Sequence, residues 1–462
     1  MDSNYIYIKT NLLIRRFERN ASESVLSVLD GANKATATKP QSTFKINDSA
    51  IQIISLFDGT MRFEEIVVAF ARANSISEQD SRAILLSFKS SLEFEYGFVF
   101  SGQDTPITHS AEYVGFENMY PSQITLEVTS RCNHRCRHCY GRYGEGVDIP
   151  ISKVPLVFES MSELGIPSVE ISGGEPSVHP EIAEIVNLAF DSGISAMSFL
   201  TNGYDLSEAL IGALIKHRDK ITMQVDLHSL DEDYYDWFTG AKNTLKRVQR
   251  NILTLIDNDI RVSLACVVTP KNIHEVSSIA KWAASNDVFR FRPSPVVNLG
   301  RVSDADAPED LLLTSEKDVI AYYEMAKEIE SLFPDMVRKA PTQKDLEITN
   351  CGVTVSHCII GPLGDIKFCG MQSENDFHFA MGNVFTESLA SIYDRKKELV
   401  DAFMKTPAPR EWKAPCSNCE HRLFCANCLF RGFIMAKKTN GECAWYQENI
   451  PNLLKKELSL LS

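Results

Sequence analysis

The chain has 462 residues, 44% apolar and 23% charged, a balance typical of soluble globular proteins and a length that suits two or three domains. Its formal net charge of -14 argues against a nucleic-acid partner, because phosphate binding is driven by clustered Lys and Arg. No apolar run approaches the roughly 20 residues of a membrane span, and the opening MDSNYIYIKT lacks the basic-then-apolar order of an export signal. A cytoplasmic protein with no membrane contact is expected.

Residues 1–105 begin with extended segments at Tyr5–Lys9 and Leu12–Phe17, followed by a disordered-looking stretch around Gly31–Gln41 and a strand at Ser42–Ile46. Asp48 and Ser49 can cap a helix with Ile51, Ile54 and Phe57 inward, and Asp58-Gly59 would end it in a turn. A second helix carries Phe63, Ile66, Val67 and Phe70 on one side. Ser77 and Asp80 form a capping pair before a third, with Ile84, Leu85, Phe88 and Leu92 inward. Tyr96–Phe100 reads as a last strand. Strands with three short helices predict a small winged-helix-like α+β domain.

Residues 120–310 alternate short apolar strands with amphipathic helices. The strands are predicted at Ile124–Val128, Ser168–Ile171, Met197–Leu200, Ile221–Leu227, Val262–Val268 and Phe289–Arg292, with helices such as Glu181–Phe190 and Leu245–Leu255 between them. Six strand–helix units predict a parallel sheet rolled into a partial (β/α)6 barrel, in which chemistry sits at the C-terminal strand ends. Residues 311–344 form a helical connector, with a helix near Ser315–Leu332. Residues 345–462 are loop-rich and hold most of the cysteines. The fold class is α/β.

Cysteine placement carries the chemistry. In reducing cytosol, 12 cysteines point to metal or redox work rather than disulfides. Cys132-x3-Cys136-x2-Cys139 puts three thiols on one loop after the first barrel strand. A four-iron cluster takes four ligands, so three thiolates leave one iron open. A zinc site completed by His134 or His138 is the competing reading. Gly173-Gly174-Glu175-Pro176 follows the second strand, where glycines allow close backbone approach and a carboxylate can accept from an ammonium. Cys266 lies in an apolar strand and reads as a core thiol. The tail runs Cys351-x6-Cys358-x10-Cys369, then Cys416-x2-Cys419-x5-Cys425-x2-Cys428, then Cys443. Its Cys-x2-Cys pairs also suit structural zinc.

The cysteine loop and the GGEP element together resemble the radical S-adenosylmethionine (radical SAM) superfamily. The resemblance implies a [4Fe-4S] radical cluster on Cys132, Cys136 and Cys139 whose open iron chelates S-adenosyl-L-methionine. It implies contacts to that cofactor from Gly173, Gly174, Glu175 and Pro176, from His138 at the adenine, from Asn202 in Thr201-Asn202-Gly203, and from Asp226 at the ribose. His138 also reads as a solvated loop residue, and Thr201-Asn202-Gly203 as an ordinary turn. One departure is Thr239-Gly240, where peptide-modifying relatives often carry Arg-Gly.

The tail is similar to the SPASM extension of such enzymes, which implies two auxiliary [4Fe-4S] clusters. Cys351, Cys358, Cys369 and Cys428 would hold one, and Cys416, Cys419, Cys425 and Cys443 the other. The family spacing before the last cysteine of the central quartet is usually three residues; here it is two. The N-terminal pattern resembles PqqD-like leader-recognition domains, which implies a precursor peptide bound through its leader as an added strand. A DNA-binding winged helix or a structural cap would share that pattern. Taken together the parts resemble maturases of sactipeptides, the subtilosin-type enzymes that form thioethers, fed by an external flavodoxin or ferredoxin. Cyclophane-forming and epimerising maturases share these parts. Anaerobic sulfatase-maturing enzymes share the cluster regions, but often carry an acidic residue where this chain has Gly370. A non-enzymatic iron–sulfur redox sensor would have no use for Gly173–Pro176. No catalytic base is identifiable from the sequence.

Overall fold

The computed structural model describes residues 4–9, 12–17, 24–29, 40–96, 98–109, 112–116, 120–337, 350–355, 357–372 and 379–458. The chain divides into two units. One comprises Met1–Met119 with the short stretches Met161–Pro167 and Ser192–Ser195; the other comprises Tyr120–Ser160, Ser168–Asp191 and Ala196–Ser462. Among the described residues, no helix is long and apolar enough to cross a membrane.

In the first unit the elements run β1 (Tyr5–Ile8), β2 (Leu12–Phe17), β3 (Ser24–Leu29), β4 (Pro40–Ile46), α1 (Asp48–Leu56), β5 (Asp58–Arg62), α2 (Phe63–Asn74), α3 (Glu78–Tyr96), β6 (Phe100–Gln103) and β7 (Glu112–Phe116). β1 is the centre of an antiparallel three-stranded sheet, flanked by β5 and β6. Ile6 and Ile8 of β1 share one core with Ile54, Phe57, Ile66, Val67, Phe70, Leu85 and Leu92 from the three helices. A second sheet has the order β4-β3-β2-β7. Most of the Gly31–Gln41 stretch lies outside the described residues.

Several local expectations shift. Asn47, not Asp48 or Ser49, caps α1: its Oδ1 accepts the Ala50 N–H at 2.9 Å. Asp58-Gly59 opens strand β5 rather than closing a turn, because pairing with β1 recruits it. Ile84 is 43% exposed, since the buried stripe of α3 runs through Ser81, Leu85 and Leu92. α3 extends through Tyr96, so the last strand of this sheet starts only at Phe100.

The second unit is built on β8 (Gln123–Thr129), α4 (Val154–Glu163), β9 (Ser168–Gly173), α5 (Ile182–Asp191), β10 (Ala196–Thr201), α6 (Glu208–Lys216), β11 (Ile221–Asp226), α7 (Glu232–Thr239), α8 (Leu245–Asp257), β12 (Arg261–Val268), α9 (Val276–Ser285), β13 (Arg290–Pro295) and α10 (Glu316–Leu332). Strands β8 to β13 lie side by side in sequence order, all parallel. Their alternation decides what each face does. Val169, Ile171, Phe199, Met223, Val225, Leu264 and Cys266 point outward and are fully buried, with α8 and α9 packed against β12. Each such side chain contributes about 1.5–3 kcal/mol on burial. The inward residues, among them Glu170, Ser172, Gln224 and Asp226, are partly exposed. The core is thus the outer face, and the inner face, which mixes these polar groups with Leu200, Ala265 and Val267, lines a lumen.

β14 (His357–Ile360) then pairs in parallel with β8, from His357 opposite Gln123 to Ile360 opposite Leu126. β15 (Asp365–Lys367) and β16 (Ala380–Asn383) follow antiparallel, giving nine strands in the order β13-β12-β11-β10-β9-β8-β14-β15-β16. The cysteine-rich tail therefore continues the barrel sheet. Behind its hairpin Phe368 packs on Phe403, Phe430 and Phe433, with ring centroids 5.0, 5.9 and 5.6 Å away.

Candidate functional site

At the C-terminal ends of β8 to β13 a cavity of about 360 Å³ opens, within the range of small-molecule sites. Cys132, Cys136 and Cys139 line it together with His138, Gly173, Gly174, Glu175, Asn202 and Asp226. The three thiols feel one another's charge, and burial pushes Cys132 up to about 11 and Cys136 well above the usual thiol range. Left alone, Cys132 and Cys136 are neutral; a metal that takes them as thiolates must release their protons. Among the described residues, no three His, Cys, Asp or Glu side chains already converge to metal-ligating distance. Three mutually coupled thiols around one cavity, rimmed by a glycine turn and a buried carboxylate, still form a donor set that suits an iron–sulfur cluster with one open iron.

The glycines are needed first for packing. Gly173 lies at φ +135, and a Cβ on Gly173 or Gly174 would fall 2.2 Å from the Thr129 carbonyl or 2.1 Å from that of Arg131. Gly174 and Glu175 donate their N–H groups to those same two carbonyls, each at 2.8 Å. The turn after β9 is thereby sewn to the start of the cysteine loop. Pro176 is buried and opens a short 3-10 turn behind it.

Glu175 is fully buried and accepts three hydrogen bonds: Ser177 N–H at 3.0 Å, Thr201 Oγ1 at 2.7 Å and Asn202 N–H at 2.6 Å. Burial raises its pKa, while these donors oppose the shift. A carboxylate offers about four acceptor positions, so one remains for an incoming donor such as an ammonium. The Asn202 side chain donates to Asn133 Oδ1 at 2.7 Å and accepts from Tyr204 N–H at 3.0 Å. It locks the cysteine loop as much as it lines the cavity.

Asp226 is pushed up to about 7, first by burial and then by Glu175. His138 is not a solvated loop residue: it stacks on Phe238 at 4.6 Å and meets His228 edge-on at 4.8 Å. Its Nδ1 is buried with no hydrogen-bond partner among the described residues, and burial lowers its pKa to about 4. Gly240 answers the departure at Thr239-Gly240. It caps α7 at φ +66, where a Cβ would lie 2.8 Å from the Arg135 carbonyl, and Thr239 accepts the Arg135 N–H at 2.9 Å. That pair clasps the cysteine loop. Cys266 points away from the lumen, with its thiol raised by burial and donating to the His228 carbonyl at 3.7 Å.

The tail cysteines sort into two groups. Cys416, Cys419, Cys425 and Cys443 line one cavity of about 260 Å³. The charges of the other three push up the Cys425 thiol, to about 12 with burial as the larger cause. Cys351, Cys369 and Cys428 form a coupled trio. Cys358 does not join them. The register places Ile359 opposite Lys367 and Ile360 opposite Ile366, which directs Cys358, 1% exposed, toward the same buried side as Phe368. Burial pushes Cys358 up to about 12, and its hydrogen-bond partner is Tyr393. This placement sets Cys358 apart from the other three cysteines expected to hold the first auxiliary cluster.

Sequence reasoning missed a polar link between β8 and β15. Glu127, 3% exposed, accepts Tyr143 Oη at 2.9 Å and Lys367 Nζ at 2.5 Å. A lone charge in the apolar run Ile124–Val128 was the available signal. Lys367 reaches it from β15, tying the hairpin that carries Cys369 to the strand that precedes Cys132.

Residues 126–283 match the radical SAM superfamily, and residues 351–420 match SPASM, an iron–sulfur cluster-binding domain. The antilisterial bacteriocin subtilosin biosynthesis protein AlbA of Bacillus subtilis is 26% identical over 330 residues, 70% of this chain and 71% of that one. The AdoMet-dependent heme synthase of Methanosarcina barkeri is 23% identical over 337 residues, 68% of this chain and 92% of its own. Among solved structures, Streptococcus suis SuiB bound to S-adenosylmethionine superposes with a TM-score of 0.59 at 14% identity, covering 93% of this chain and 96% of that one. At that identity the likeness speaks for the fold.

Proposed function

From a chain that carries a radical SAM domain and a SPASM iron–sulfur domain, we propose an enzyme that matures a ribosomally made precursor peptide by joining a cysteine sulfur to a carbon of the same peptide. The observation that carries the reading is the three-thiol site at the mouth of an open lumen, together with a cysteine quartet around a cavity of its own in the tail. Likeness to the subtilosin biosynthesis protein favours the thioether over other bonds. The solved SuiB bound to its precursor peptide SuiA supports a peptide partner.

When bound, the cluster and S-adenosylmethionine supply a 5′-deoxyadenosyl radical that can take hydrogen from an unactivated C–H bond. The protein's own residues hold that chemistry in place. Cys132, Cys136 and Cys139 would ligate from one loop, and Glu175 would offer its remaining acceptor position to the methionine ammonium. Asp226 would serve the cofactor's ribose, and His138, stacked on Phe238, its adenine. The lumen below would admit a peptide segment. Forming the C–S bond removes one hydrogen atom, one proton and one electron from the peptide; auxiliary clusters held by the tail cysteines would accept that electron, and an external flavodoxin or ferredoxin would supply the reducing electron for the radical cluster. In the first unit β6 is an outer strand of the β5-β1-β6 sheet, the kind of edge on which a leader adds as a further strand.

The test is anaerobic incubation of the iron-loaded protein with a small precursor peptide encoded beside it. Loss of two hydrogens in mass, with a peptide cysteine no longer alkylated, is expected. Loss of two hydrogens with every thiol still free means a C–C crosslink, and deuterium uptake from solvent without mass loss in water means epimerisation; either sinks the thioether. No 5′-deoxyadenosine at all sinks the enzyme reading.

A further inference from the structure

The turn Gly300–Ser303 after β13 closes on the cysteine loop from the far end of the parallel sheet. Gly300 sits at φ +59, and a Cβ there would lie 2.4 Å from the Cys139 carbonyl and from Tyr140 Cα. Only glycine lets the two backbones meet so closely. The next residue, Arg301, gathers three carbonyls of the loop. Its N–H donates to Cys139 at 3.1 Å, its Nη1 to Cys136 at 3.1 Å, and its Nη2 to Tyr143. The loop reaches back through Arg142, which donates to the Gly300 carbonyl at 2.8 Å and pairs with Asp304. Val302 anchors the turn in a core cluster with Phe238, the ring on which His138 stacks.

Geometry and charge act together at this residue. A guanidinium donates to several carbonyls at once from a rigid fork and stays ionised at any working pH. Because it bonds the Cys136 and Tyr143 carbonyls directly, its charge is fixed against the loop that carries the three thiols. Gathering negative charge on a ligand set makes a further electron harder to add, and a fixed cation nearby offsets that.

We propose that Arg301 is a positioning residue for the radical centre: it pins the loop from Cys136 to Tyr143 and holds a permanent positive charge beside the thiolates, raising the potential at which their cluster accepts an electron from an external one-electron donor. The inference rests on the radical cluster assigned to Cys132, Cys136 and Cys139, and not on the identity of the peptide.

Full-length Arg301→Gln and Arg301→Lys, loaded with iron and sulfide under anaerobic conditions, decide it. The readout is a redox titration of the electron paramagnetic resonance signal that changes on adding S-adenosylmethionine, with iron counted per chain. In the glutamine variant the reduced fraction at a fixed donor potential should fall about tenfold, the order expected for losing one charge at a partly buried site. The lysine variant keeps the charge and should recover most of it. A glutamine variant that titrates like the parent, or a lysine variant as impaired as the glutamine one, overturns the proposal. Should the glutamine variant hold no radical cluster, the lysine variant decides alone: a retained, responsive signal supports the proposal, and loss there too overturns it. A parent protein whose signal ignores the cofactor would instead overturn the radical assignment itself.

Discussion

The cysteine site at the barrel mouth and the quartet at Cys416, Cys419, Cys425 and Cys443 solve one problem in opposite ways. The quartet is local. Short helical turns within about 30 residues bring four thiols to one small cavity, enough to close a cluster. The barrel site supplies three thiols and draws its support from distant chain: the Gly173–Gly174 turn, the Thr239–Gly240 cap and Gly300–Arg301 all press on the loop. A closed site needs only ligands. An open site must also stop its loop from collapsing into the space meant for the cofactor, and that takes backbone from several strands. The difference teaches where substitutions will act at a distance and where they will not.

Removing a ligand tests the contrast most strongly. Cys132→Ala should abolish cleavage of S-adenosylmethionine, by about a thousandfold or more, while sparing roughly two thirds of the bound iron; a larger iron loss would mean that the sites are not independent. Cys443→Ala should do the reverse. Peptide product should fall roughly a hundredfold, while 5′-deoxyadenosine formation, followed by chromatography, stays within about threefold. Gly174→Ala leaves every ligand in place but drives a Cβ against the Arg131 carbonyl. Cofactor binding by the loaded enzyme, measured calorimetrically, should weaken about tenfold, or 1.4 kcal/mol; unchanged affinity would show that the loop tolerates displacement. The smallest effect belongs to Cys358→Ala. Iron per chain should stay constant, and urea unfolding should cost about 1–2 kcal/mol for a truncated core side chain. Loss of a cluster's worth of iron would place Cys358 in the ligand set.

The six parallel strands were legible because alternation along each is strong: apolar residues at every second position of β9 to β12 meet the helices. The site was legible where chemistry fixes residue type and spacing together, as in the cysteine loop and the GGEP turn. Other features were hidden for physical reasons. Strand pairing turned Asp58-Gly59 from a stop into a start. The face on which Cys358 falls depends on hairpin register, which spacing alone does not give. Arg301 bonds backbone carbonyls more than 150 residues away, a recognition that leaves no mark in its own neighbourhood of the sequence.

The parallel pairing of β14 with β8 joins segments roughly 230 residues apart in the chain. As the polypeptide leaves the ribosome, β8 has β9 on one side and bare hydrogen-bonding groups on the other until the tail has been made. The stretch that looks like a self-contained catalytic module would therefore present an unprotected sheet edge if expressed by itself, an invitation to aggregate. Separating the barrel from its tail at residue 345 should yield inclusion bodies rather than a minimal enzyme, and a fragment used for biochemistry is better cut after β16 than before β14.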